Sequence, residues 1–129
     1  MMRKSLSSAL VGCALLLASY AASAAQIAFS QSAFDKLQAE GKPAIVYFHA
    51  DWCPTCKVQK PIVDSLLRQP DMQSITLLIA DYDKEIALKK AMHISQQSTF
   101  VVFKGGKEVT RATGQTTKPA IQATFAQAL

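Results

Sequence analysis

The apolar run "AIVYFHA", Ala44 to Ala50, leads straight into "DWCPTCK", where two cysteines head a helix-like pattern. This junction constrains the fold more than any other feature of the chain. A near-continuous run of β-forming residues suggests a strand buried on both faces, which needs packed layers above and below it. After the cysteines, Val58, Ile62 and Leu66 recur every four residues, and Val63 and Leu67 widen the stripe. A helix is therefore expected from the cysteines to Leu67. Pro61 falls inside it, removes one helical hydrogen bond and is expected to kink it.

The rest of the chain supplies the layers. Gln26 to Phe29 can extend. Ser30 or Ser32 can cap a helix from Ala33 to about Ala39, stopped by Gly41 and Pro43. "RQPDMQS", Arg68 to Ser74, reads as a turn. "ITLLIADYD", Ile75 to Asp83, reads as a second buried strand. A short helix is expected over Lys84 to Met92, with Ile86 and Leu88 among its apolar positions. Thr99 to Lys104 and Glu108 to Thr113 are strand-like, and Gly105-Gly106 between them signals a hairpin. Thr116 or Thr117 can cap a last helix, with Pro119 in its first turn and Ile121 and Phe125 inward. The order β-α-β-α-β-α-β-β-α predicts an α/β fold, a mixed central sheet with helices on both faces.

The first residues, "MMRKSLSSALVGCALLLASYAASAAQ", have the layout of a secretory signal peptide: basic Arg3 and Lys4, an apolar stretch, and the small-residue pattern Ala22-Ser23-Ala24. The apolar stretch is well under the roughly 20 residues of a spanning helix. The expected division is a signal peptide over 1–24 and one domain over 25–129, with a periplasmic location. "LVGC", Leu10 to Cys13, also resembles a lipoprotein box, but the apolar run continues past Cys13, which disfavours lipidation. The formal charge of +5 falls to about +3 without Arg3 and Lys4. The remaining basic residues are spread along the chain, so no nucleic-acid surface is expected.

Discarding Cys13 leaves Cys53 and Cys56. A bridge across two intervening residues closes almost no loop, so it restrains the unfolded chain very little. Redox chemistry or metal binding remains.

"ADWCPTCK", Ala50 to Lys57, followed by Pro61, resembles the W-C-x-x-C-K and helix proline of thioredoxins. "FKGGKEV" and Gly114 look like that family's closing hairpin and the glycine after it. The resemblance covers nearly all of residues 26–129. "HADWC" followed by a dipeptide other than Gly-Pro is similar to exported members, in particular the C-terminal periplasmic domain of transmembrane thiol–disulfide interchange proteins. The resemblance implies a thioredoxin fold, Cys53 as nucleophile at a helix N-terminus and Cys56 as the less exposed resolving thiol. Pro54 and Thr55, between the cysteines, tune the reduction potential in this reading. Trp52 is expected to be partly exposed beside the thiols.

Three positions depart from the family pattern. Tyr47 stands where thioredoxins have a buried aspartate that assists the resolving cysteine, and a phenol titrating near about 10 is a poor base. His49 replaces an aromatic; it suits proton exchange or simply fills the aromatic slot. Ser98, ahead of Thr99, stands where a cis-proline faces the thiols. A cis bond before a non-proline costs roughly 2.5–4 kcal/mol, so a trans bond is expected, adding an N–H and a hydroxyl near the thiols.

The leading reading is an exported thiol–disulfide oxidoreductase acting on substrate proteins with disulfides or thiols. Reduction or electron relay is favoured slightly over oxidation. No cofactor is expected, the chain is expected to be a monomer, and a membrane electron donor is a candidate upstream partner. A second reading is a Cu(I)- or Zn-binding chaperone using Cys53, Cys56 and His49, with His93 as a fourth zinc ligand. A redox-inert binding module is the third, and two intact cysteines argue against it.

Overall fold

The computed structural model describes residues 24–129. The predicted leader up to Ser23, with Cys13, lies outside the described residues. Strands β1 (Ala25–Ala28), β2 (Ala44–His49), β3 (Thr76–Asp81), β4 (Thr99–Lys104) and β5 (Lys107–Thr113) alternate with helices α1 (Gln31–Ala39), α2 (Pro54–Leu67), α3 (Ile86–Ala91) and α4 (Lys118–Ala126). They form one five-stranded sheet in the order β1-β3-β2-β4-β5. β1 and β2 run parallel to β3, while β4 runs antiparallel to both β2 and β5. The predicted element order and the mixed sheet are both present.

Alternation along β2 explains why its sequence shows no polar face. Ile45 and Tyr47 point to one side and pack with Val63, Leu66 and Leu67 of α2 and Ile121 and Phe125 of α4. Ala44, Val46 and Phe48 point to the other side, where Phe34 and Leu37 of α1 and Leu88 of α3 cover them. A central strand with helices above and below must be apolar at every position. Each large side chain buried this way stabilises the fold by about 1.5–3 kcal/mol.

The boundaries differ from expectation for local reasons. Ser30, not Ser32, is the N-cap of α1, and its hydroxyl accepts the Ala33 N–H at 3.2 Å, so the helix begins at Gln31. α3 begins at Ile86 rather than Lys84. The Asp81 carboxylate accepts the Asp83 N–H, and the Asp81 carbonyl accepts those of Lys84 and Glu85, which draws this stretch into a turn. β3 accordingly stops at Asp81. The stretch read as a plain turn contains a 3₁₀ turn, Pro70–Met72, that buries Met72 in the core. Thr117 occupies the cap position of α4 without a side-chain bond.

The inward face of α2 is also rotated from the predicted stripe. Cys56, Gln59, Val63 and Leu66 are its buried positions, together with Leu67, and Val58 is 47% exposed. The 56-59-63-66 spacing is an ordinary helical face, turned so that the second cysteine points in. The helix continues unbroken through Pro61. Ile86, expected among the apolar positions of α3, is also exposed.

The hairpin follows its sequence. Lys104 pairs with Lys107 across Gly105 and Gly106, both at positive φ. Two consecutive left-handed residues suit the right-handed twist of the strands, and glycine adopts that conformation without strain. A Cβ on Gly106 would lie 2.9 Å from the Gln38 carbonyl oxygen, so this position also needs the missing side chain.

Candidate active site

β2 ends at His49, the chain turns through Ala50 to Trp52, and α2 begins at Pro54. Cys53 is therefore the N-cap of α2. Its backbone is extended, and its sulfur accepts the Cys56 N–H at 3.1 Å. A helix start leaves its first N–H groups without intrahelical acceptors, and here one of them is aimed at sulfur. Pro54, at the first helical position, has no N–H to leave unpaired. It is exposed, and Thr55 is half-buried beside it.

The two thiols were expected to differ in exposure. Both are fully buried, in a small cluster with Ala50 against which Tyr82 packs. The Cys53 sulfur is turned in by the cap bond, which removes the difference. Burial pushes the Cys56 thiol above its ordinary value. The adjacent Cys53 adds to this, while the Ala50 backbone and the Tyr47 hydroxyl pull the other way. Cys53 and Cys56 are both free thiols.

Trp52 is 54% exposed, next to the cysteine pair. Its indole N–H donates to the Asp83 carboxylate at 2.7 Å. The turn that displaced α3 is therefore what places Asp83 under the indole. His49, Trp52, Asp81, Asp83 and Lys84 line a cleft of about 420 Å³ on this side. His49 Nδ1 lies 3.8 Å from the Asp51 carboxylate, and the His49 ring meets the Tyr47 ring edge-on at 5.4 Å. Trp52 is the only tryptophan in the chain, so its fluorescence reports this contact directly. Asp83→Ala is expected to red-shift the emission. Because the bond is solvent-exposed, it should lower stability by less than about 1 kcal/mol. An unshifted spectrum would show that Asp83 does not hold the indole.

Ser98 is trans and left-handed, with φ 57°, and is buried. A left-handed conformation is uncommon for a residue with a side chain, and its bonds here account for it. Its N–H donates to the Phe48 carbonyl at 2.8 Å, and its carbonyl accepts the Gly114 N–H at 3.0 Å. Its hydroxyl donates to the Gln97 carbonyl. The trans bond was expected. The added N–H is bonded to β2, and the hydroxyl hydrogen is used within the loop. Thr99 is buried, and its hydroxyl donates to Gln96 O and meets the Thr113 hydroxyl at 2.8 Å.

Nothing in the reading of the sequence singled out Gln59. It is fully buried, and its amide nitrogen donates to the carbonyls of Ser98 (3.2 Å) and Gln115 (2.9 Å). Its amide oxygen accepts the Tyr47 hydroxyl at 3.0 Å. The one available signal was its position three residues after Cys56, on the same helical face. Burial pushes the Tyr47 phenol far above its ordinary value, and the neighbouring cysteines reinforce that, so it stays protonated.

Among the described residues, no group of three or more His, Cys, Asp or Glu side chains stands close enough to hold a metal. His93 is exposed beyond α3 and lines a different, smaller pocket with Arg111 and Thr113, so the four-ligand set considered for zinc is not assembled.

The thioredoxin family profile matches residues 25–127. The chain belongs to the thioredoxin family. It is similar to thioredoxin-2 of Saccharomyces cerevisiae, 35% identical over 86 residues that cover 66% of this chain and 81% of the relative. Thioredoxin-1 of the same yeast is 32% identical over 97 residues, covering 75% and 92%. Among solved structures, the crystal structure of Trxlp from Edwardsiella tarda EIB202 superimposes with a TM-score of 0.76 at 33% identity, covering 78% of this chain and 98% of that one. This thioredoxin relative is a thiol–disulfide oxidoreductase.

Proposed function

We propose that the chain is exported and reduces, or relays electrons to, disulfides of substrate proteins outside the cytoplasm, with Cys53 as nucleophile and Cys56 as resolving thiol. The observation that carries the role assignment is the helix-start N–H of Cys56 aimed at the Cys53 sulfur. A donor in that position stabilises charge on Cys53 rather than on Cys56, and attack needs a thiolate. Cys56, one helical turn on, is close enough to attack a mixed disulfide at Cys53 and release the partner. Export is supported by the basic, apolar and small-residue layout of residues 1–24. The domain works as a monomer in this reading, and a membrane donor re-reduces it. Reduction is favoured by the likeness of "HADWC" to exported electron-carrying domains.

The test is the reduction potential of the Cys53–Cys56 pair in the mature protein, read by alkylation across a dithiothreitol or glutathione titration. A value near about −270 mV is expected for a reductant, and one between about −180 and −120 mV would reverse the assigned direction. Absence of any reversible couple would overturn the redox reading for this chain.

A further inference from the structure

A thiol that attacks a disulfide must touch it, yet Cys53 and Cys56 are both fully buried. The new bond brings two sulfurs to about 2 Å, so something over the pair has to move before a partner arrives. Among the described residues, Tyr82 is the one partly buried apolar side chain packed against the cluster of Ala50, Cys53 and Cys56.

The order of the sheet turns that contact into a crossing. β2 lies between β3 and β4, and the turn that carries the cysteines hangs from its end. At that end His49 is paired with Asp81 of β3, and Phe48 with Thr99 of β4. Tyr82 follows Asp81 directly, and its N–H donates to the His49 carbonyl at 2.9 Å. Its hydroxyl donates to the carbonyl of Ser95, in the segment that enters β4, at 3.1 Å. The phenol therefore bridges from the strand on one side of β2 to the chain entering the strand on the other. Its body rests on the core under α1 and α3 as well as on the cysteines.

The far anchor is fixed. Three residues beyond Ser95, the Ser98 N–H is bonded to Phe48 and its carbonyl accepts from Gly114 and Gln59. The phenol is the part that can move. Besides the Ser95 bond, its polar hold is Lys89, whose Nζ stands 3.8 Å from the ring centroid. The hydroxyl bond is solvent-exposed and Lys89 is half-buried. Water competes for such a bond, and a cation over an exposed ring holds it weakly. The closed arrangement is favoured by a small margin, so an open one is within thermal reach.

We propose that Tyr82 is a strap over the cysteine pair, fastened by Ser95 and Lys89, and that a partner reaches Cys53 when the phenol swings clear. Tyr82 moves no proton in this role. It sets the fraction of molecules whose thiol can be met, and that fraction multiplies every rate of attack. The inference rests on the reading of Cys53 as the attacking thiol, and its test separates the two.

The experiment follows alkylation of the reduced protein by iodoacetamide across pH, with the modified cysteine identified by mass spectrometry. The rate climbs with the thiolate fraction to a plateau, and the height of that plateau reports access. Tyr82→Phe keeps the ring and removes its bond to Ser95. Its plateau should rise about fivefold with the midpoint unmoved. Lys89→Met removes the cation and should raise the plateau about threefold. Both rates should stay flat in low urea, because the opening exposes little surface, whereas access through unfolding would climb steeply. A plateau unmoved in either variant, a moved midpoint with the plateau unchanged, or a steep dependence on urea would overturn the strap. If Tyr82→Phe does not fold, Lys89→Met decides on the same terms. Modification of Cys56 ahead of Cys53 would overturn the role assignment instead. The plateau would still decide the strap, since the reagent brings no disulfide.

Discussion

Cys53→Ser is expected to abolish disulfide exchange, and Cys56→Ser to preserve the first attack but strand the partner on Cys53. The expected loss in Cys53→Ser is roughly a thousandfold or more, because an alcohol at a helix start is not ionised and cannot replace a thiolate. The cap bond survives that change, since serine is itself a good N-cap, so the fold should be unaffected. Cys56→Ser behaves differently because its N–H still reaches the Cys53 sulfur. That protein should attack partners at close to the normal rate and accumulate mixed disulfides. Turnover with a disulfide-bonded protein substrate, with non-reducing gels to detect adducts, checks both. Adducts on Cys56 in the Cys53→Ser protein would reverse the roles.

Phe100→Ala carries the largest expected effect on stability. Phe100 is fully buried at the middle of the α2–α4 core. Its ring lies 4.7 Å from that of Tyr47 and 5.1 Å edge-on from that of Phe125. Truncation leaves a cavity between a strand and a helix that cannot collapse together, and a loss of about 3–5 kcal/mol is expected. That is a large fraction of the typical stability of one domain. Urea unfolding followed by circular dichroism measures it, and Phe100→Leu should cost much less because most of the volume stays filled. A loss under about 1 kcal/mol would mean that this core is loosely packed.

These expectations draw on features that the sequence showed unevenly. β2 and β3 were legible because a strand covered on both faces has an unmistakable composition, and the Gly105-Gly106 turn because few residues tolerate its geometry. The cysteine pair was legible for a similar reason: its spacing, helix and neighbours are all local in sequence. The bonds that support it are not local. Gln59 meets Ser98 and Gln115 across 39 and 56 residues, and Asp83 meets Trp52 across 31. A glutamine in an amphipathic helix gives no sign of burial until the rotation of the helix is known, and the inward turn of Cys56 sets that rotation. The partner of the Ser98 N–H was hidden for the same reason, because its acceptor belongs to β2.

The register of the parallel strands has a consequence for attachment. Ala25, Ala44 and Thr76 are aligned at one end of the sheet, while His49 and Asp81 are paired at the other. A six-residue strand is about 20 Å long, so Ala25 and the thiols sit at opposite poles of the domain. Any leash joined ahead of Ala25, whether an affinity handle, a fusion partner or a surface linker, emerges from the pole facing away from Cys53. The protein can be immobilised through that end with its thiol pole presented outward, free to meet an incoming disulfide.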